Sequence, residues 1–223
     1  MIYIALLILA YFVLYKFSGA ISKNVFRVFY RITKSEKVSI YIYSFLFLPG
    51  TIVHELSHFI SALFLLVPVR DLDLVPKVEE NRLKMGSVKV AKTDPLRSTI
   101  IGIAPFIVGN LILFFVINFV LNNGTEYNWL LIGLSVYLIF QIGNTMFSSR
   151  EDMYMAIRLV IALILIYISL YLLGLRISVD PNTFLTNQVL DYVKIACWFL
   201  LIPIVIDLLI IILLKFTRKV FSI

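Results

Sequence analysis

Cysteine and histidine are both scarce in this chain of 223 residues, which has one cysteine, Cys197, and two histidines. A single cysteine excludes an internal disulfide and a zinc site built on thiolates. Charged residues are also few, at 15% of the chain, and the lysines and arginines lie mostly between apolar runs. The formal charge of +7 therefore fits basic residues beside anionic lipid, so we expect a lipid bilayer as partner and no nucleic acid.

Apolar residues dominate what is present, because 61% of the chain is hydrophobic and the mean hydropathy is +0.99. Repeated runs of about 20 apolar residues indicate transmembrane helices. We predict an all-α polytopic membrane protein with about six transmembrane helices, forming one membrane-embedded domain over residues 1–223. The spans are expected at about 2–17, 38–69, 99–121, 129–147, 153–173 and 189–214. We expect an integral protein of a prokaryotic cell membrane.

Two segments between the spans are polar enough to interpret separately. The basic segment 18–37 is either an amphipathic helix at the membrane surface or a helical extension of the first span. Residues 69–98 show two short strand patterns around the turn Glu79-Glu80-Asn81, which predicts a small β-hairpin after the second span, with a solvated loop as the alternative. If there are six spans, the basic hairpin segment and the C-terminus share one side, which the excess of lysine and arginine places in the cytoplasm.

The second apolar run contains the motif His54-Glu55-Leu56-Ser57-His58. Residues four apart share one face of a helix, so both imidazoles can bind one metal ion. Glu55 lies beside His54 and can take a proton from the attacking water, as in zinc hydrolases. Apolar residues flank the motif on both sides, so the site would lie within the bilayer, where ionisable groups mark functional sites. The alternative is a structural polar cluster.

Glycine and proline predict local features of two spans. Pro49-Gly50 directly precedes the histidine motif and should break or kink the helix. Thr51 could then cap a new helix that carries the two histidines. Gly102 and Gly109 in the third span lie seven residues apart, so they share a face and allow close helix packing.

A catalytic zinc site needs a third protein ligand, and here it must be a carboxylate, because no further histidine and no useful cysteine remain. Asp152 is preferred because it lies at the boundary of a span, although it could also be an ordinary acid at a helix N-terminus. Asp207, deep in the last span, is another candidate or an ion-pair partner of Arg158. The remaining candidates are Glu151, Asp71 and Asp73. Zinc is inferred from ligand type, and another divalent metal could occupy such a site.

These motifs resemble the site-2 protease family of intramembrane zinc metalloproteases. The resemblance covers residues from Pro49 to Asp152, within a three-span core at about 38–152. Its second motif is Asn144-Thr145-Met146-Phe147-Ser148-Ser149-Arg150-Glu151-Asp152, which has the family's Asn-to-Asp interval. Gly102-Ile103-Ala104-Pro105 and Gly109-Asn110 are similar to signals of the family's middle core span. The prolines of the second motif are absent, and Met153 follows Asp152 where the family has glycine.

The resemblance implies a zinc enzyme. His54, His58 and Asp152 correspond to the zinc ligands, Glu55 to the catalytic base, and Asn144 to the residue that holds the substrate strand. The expected activity is hydrolysis of peptide bonds in or near transmembrane segments of membrane-protein substrates.

Two other functions remain open at this point. One is a membrane metal-ion carrier, although carriers more often show paired halves with interrupted helices, which this sequence does not show. The other is a protease-like membrane scaffold that binds partners without cutting them, for which Glu55 would have little purpose.

Overall fold

The computed structural model describes residues 2–74, 77–79, 82–84, 86–122, 128–146, 150–174 and 187–220. These residues form six helices and four short strands. In chain order the elements are α1 (Ile2–Thr33), α2 (Glu36–Phe64), β1 (Val69–Asp73), β2 (Lys77–Glu79), β3 (Arg82–Lys84), β4 (Ser87–Val90), α3 (Pro95–Asn122), α4 (Trp129–Thr145), α5 (Arg150–Leu172) and α6 (Asn187–Val220).

Four of the helices, α1, α2, α3 and α6, are long and apolar enough to cross a membrane. Helix α4 and the apolar part of α5, Ile157–Leu172, are shorter. The prediction of a helical membrane protein is therefore confirmed, while a crossing by all six helices stays a prediction.

Short polar contacts set where the first helices begin and end. Helix α1 continues without interruption to Thr33, so residues 18–33 of the basic segment are a helical extension of the first apolar run and not a separate surface helix, while Glu36 and Lys37 begin α2. Ser35 caps α2 by accepting a hydrogen bond from the amide of Val38, at 3.5 Å. Asp94 caps α3, because the amide of Arg97 donates to its Oδ1 at 3.0 Å, and this bond holds the pKa of Asp94 below its ordinary value.

Helix α2 runs unbroken through Pro49-Gly50, so of the predicted break or kink the break is wrong and the kink stays a prediction, and Thr51 does not cap a new helix. The Thr51 hydroxyl instead donates to a carbonyl of its own helix, at 3.0 Å. Helix α4 supports this stretch, since Tyr137 Oη and Gln141 Nε2 both donate to the carbonyl of Leu46, at 2.8 and 2.6 Å. The carbonyl that loses its donor at Pro49 is that of Phe45, four positions earlier, so these bonds hold α2 to α4 beside the proline and do not replace the missing one.

The polar insert folds as two antiparallel pairs, an outer pair of β1 with β4 and an inner pair of β2 with β3. The predicted β-hairpin after the second helix is confirmed, although it contains four short strands rather than two, and the alternative of a solvated loop is wrong. In the outer pair Val69 lies opposite Val90. Both valines pack against a buried cluster of Ala62 near the end of α2, Val67, and Ile101 in α3, so the base of the hairpin is held against two helices.

Apolar clusters and close glycine contacts hold the helices together. One cluster joins α1, α3, α4 and α6 through Leu14, Leu113, Ile117, Ile139, Ile142 and Leu200. Gly102 lies directly against Met155 of α5, and Gly109 against Met146 at the end of α4. The prediction of close packing at these glycines is confirmed, and each glycine serves a different neighbouring helix.

Candidate metal centre

His54 and His58 lie one turn apart on α2 and face the same way. Their Nε2 atoms are 3.3 Å apart, and the two rings are nearly perpendicular, at 85°. His54 is almost wholly buried, with 4% of its surface exposed. The four-residue spacing on a helix therefore brings both imidazoles to one point inside the protein.

Asp152, in the first turn of α5, completes this group and lies 98 positions after His54 in the chain. Its Oδ2 lies 3.1 Å from Nε2 of His54 and 3.4 Å from Nε2 of His58. Within the described residues these three side chains form a group that could hold a metal ion.

The spacing of the three ligand atoms fits zinc. Tetrahedral zinc with bonds of about 2.0–2.1 Å places neighbouring ligand atoms about 3.3 Å apart. The three separations here are 3.1, 3.3 and 3.4 Å. Two imidazoles and one carboxylate are also a donor set typical of catalytic zinc, which leaves a fourth position for water or substrate.

Glu55 lies beside this group, at the end of the β1–β4 pair away from Val69 and Val90, and is buried. Gly86, directly before β4, packs on it so closely that a Cβ atom on Gly86 would fall 2.8 Å from Cγ of Glu55. The same Cβ would meet the carbonyl of Asp73 and the methyl group of Thr51, each at 3.1 Å. Sequence reasoning missed Gly86, whose signal is a glycine inside a strand pattern, which often marks a close backbone approach.

The outer nitrogens of the two histidines have different surroundings. Nδ1 of His58 lies 2.8 Å from the carbonyl oxygen of Ile101 in α3. Nδ1 of His54 is buried and has no hydrogen-bond partner among the described residues. Sequence reasoning also missed Ile101, because a backbone acceptor carries no side-chain signature.

Within the described residues no other carboxylate considered from the sequence, Asp73 included, belongs to this group. Asp71 is on the exposed hairpin and forms an ion pair with Lys89, at 3.2 Å. Asp207 is fully buried and accepts a hydrogen bond from Nδ2 of Asn144, at 2.7 Å, while Arg158 is exposed. No ion pair joins Asp207 to Arg158 within the described part of the chain, so that alternative is wrong. The side chain of Glu151 lies outside the described residues.

Asn144 is buried near the end of α4, and its polar groups form hydrogen bonds with its own helix and with two neighbouring helices. Its Nδ2 donates to the backbone carbonyl of Phe140 and to Asp207. The backbone carbonyl of Asn144 accepts from Ser18 Oγ, at 2.7 Å. These contacts join α4 to α6 and α1. Its expected contact with a substrate strand stays a prediction.

The charge of the site favours a divalent cation. Glu55 and Asp152 place two carboxylates beside two imidazoles in an apolar helical bundle, where ionised groups are costly. A divalent ion would offset both charges, and the ligand atoms are already within bonding range of one point.

Comparisons of this chain with models of protein families, with curated proteins and with solved structures found no match.

Proposed function

We propose that this protein is an intramembrane zinc metalloprotease that hydrolyses peptide bonds in or near transmembrane segments of membrane-protein substrates, as its resemblance to the site-2 protease family implies. The observation that supports this most strongly is the meeting of Asp152 with His54 and His58, directly beside Glu55, in a bundle of apolar helices. A chain that only bound partners would have no use for a base next to this group.

The side chains divide the chemistry between them. His54, His58 and Asp152 would hold a zinc ion, and Glu55 would act as general base and acid. A bound zinc ion supplies Lewis acidity, which makes water a stronger acid and polarises a peptide carbonyl. Glu55 takes the proton from the attacking water and then delivers it to the leaving amine. Its burial against Gly86 keeps the carboxylate fixed and shields it from bulk water.

The substrate must reach this site as an extended strand, because a helix hides its carbonyls in its own hydrogen bonds. The hairpin offers a means of holding such a strand. Within the described residues the β1–β4 sheet has two strands, so its outer edges can pair with a third. Gly86 and Asp73 lie at the end of this sheet that is next to Glu55, so a strand paired there would pass the base. Asn144 is expected to bind the backbone of the same strand.

The test is the variant Glu55→Gln, which keeps the shape of the side chain and removes its basicity. General acid–base catalysis contributes roughly 10²–10⁴-fold, so cleavage of a co-expressed single-span substrate should fall by at least about 100-fold. The zinc content of the purified variant should be unchanged. Glu36→Gln, an exposed change in the first turn of the same helix, is the matched control and should cleave normally. Undiminished cleavage by Glu55→Gln would refute the assignment of the base.

A further inference from the structure

We propose that Pro105 is a positioning residue for the metal ligand His58. Because proline has no amide hydrogen, the carbonyl of Ile101 is free to accept the Nδ1–H of His58, and this bond turns Nε2 towards His54 and Asp152. The expected effect on zinc binding rests on the proposed function, because it requires the metal centre. The hydrogen bond between His58 and Ile101 does not depend on that proposal.

The first step follows from helix geometry. In an α-helix the amide of each residue donates to the carbonyl four positions earlier. Ile101 and Pro105 both lie inside α3 and stand four apart, so the usual donor to the Ile101 carbonyl is the amide that Pro105 lacks. The proline ring also crowds the carbonyl four residues earlier and pushes it off the helix axis.

The second step is that this carbonyl needs a donor from elsewhere. Ile101 and Pro105 are both buried, and a buried carbonyl without a partner costs free energy. Nδ1 of His58 lies 2.8 Å away, from a residue 43 positions earlier in the chain. The contact therefore satisfies a backbone acceptor of α3 and orients a side chain of α2 at the same time.

The third step concerns the histidine tautomer. A carbonyl oxygen can only accept, so in a neutral ring Nδ1 of His58 must carry the proton. Nε2 then keeps its lone pair, and it lies 3.3 Å from Nε2 of His54 and 3.4 Å from Oδ2 of Asp152. Such outer hydrogen bonds fix the tautomer and the ring orientation of metal-binding histidines.

Two substitutions at one position separate the missing amide from the proline ring. Pro105→Ala removes the ring and adds an amide that competes for the Ile101 carbonyl. Lactic acid incorporated at position 105 has the side chain of alanine but an ester in place of the amide, so it adds no donor. Pro203→Ala is the matched control, because it removes another buried helix proline, in α6.

The direct readout is the tautomer of His58 in the metal-free, full-length protein, measured by ¹⁵N NMR of labelled histidine. The chain has two histidines, so the spectrum is simple. We expect an Nδ1–H ring for His58 in the wild type, in Pro203→Ala and with lactic acid at position 105, and a loss of this tautomer in Pro105→Ala. A wild-type His58 with its proton on Nε2 would overturn the inference even if no variant folds.

The second readout is zinc affinity, measured by competition with a chelator. Loss of an outer-shell partner typically costs about 10–100-fold, so Pro105→Ala should bind zinc weaker by that factor. The lactic acid variant and Pro203→Ala should bind like the wild type. Equal weakening by alanine and lactic acid would assign the effect to the ring and contradict the inference. A wild type that binds no zinc would instead refute the proposed function, while the tautomer would still decide the role of Pro105.

Discussion

At the scale of single residues, Asp152 decides whether the two histidines form a metal centre or a polar cluster. Asp152→Asn keeps the size of the side chain but removes its charge and leaves a weaker ligand. We expect zinc affinity to fall by more than about 100-fold, beyond the usual cost of losing an outer-shell partner. The measurement is the zinc-to-protein ratio after dialysis against a chelator. Asp71→Asn, on the exposed hairpin, is the control and should keep its zinc.

Full zinc retention by Asp152→Asn would contradict its role as a ligand.

Asp152 could be predicted because the choice was small: two histidines and one cysteine leave only a carboxylate to complete the site. The acceptor for His58 could not be predicted in the same way. A carbonyl of α3 becomes available through a proline four positions later, and only the packing of α2 on α3 brings it to the imidazole.

At the scale of elements, Gly50 sets the distance between α2 and α4. A Cβ atom at this position would lie 2.6 Å from Cγ2 and Oγ1 of Thr145 and 2.9 Å from the carbonyl oxygen of Gln141. The carbonyl belongs to the backbone of α4 and cannot rotate aside, so Gly50→Ala must push the helices apart. We expect a loss of about 1–3 kcal/mol in the free energy of unfolding, measured by loss of helicity in mixed micelles.

Gly133→Ala is the matched control for this change, because Gly133 lies inside α4 with open space where a Cβ atom would be. It should be neutral or stabilise by up to about 1 kcal/mol, since alanine is the better helix former. Equal stability of Gly50→Ala and the wild type would show that α2 and α4 can separate without cost.

The contact with α4 lies beside the point where a break in α2 was predicted. Pro49-Gly50 is a local signal, and read alone it ends a helix. In the fold, Gly50 lets α4 approach, and Tyr137 and Gln141 of α4 then donate to the carbonyl of Leu46. The positions of the helices and the presence of a hairpin followed from apolar runs and alternation, whereas this contact depends on a helix about 90 residues later, which no local pattern encodes.

At the scale of the whole molecule, the site ties together elements that must share one side of the bundle. Gly86 of the hairpin lies against Glu55 of α2, and Asp152 at the start of α5 lies against His54. The hairpin and the first turn of α5 therefore belong to the same end of the bundle, as alternating spans require. Asn128, at the start of α4, follows α3 and belongs to the opposite end if α3 crosses the membrane.

This arrangement predicts the accessibility of single cysteines in a Cys197→Ser background. Serine can keep the hydrogen bond that the Cys197 thiol donates to the carbonyl of Tyr3. Lys92→Cys, in the connection between β4 and α3, should react with a membrane-impermeant thiol reagent only after the cells are permeabilised, because basic loops stay in the cytoplasm. Asn128→Cys should react in intact cells. Reaction of both cysteines from one side would show that α3 does not cross, and the reverse pattern would invert the orientation without moving the metal centre.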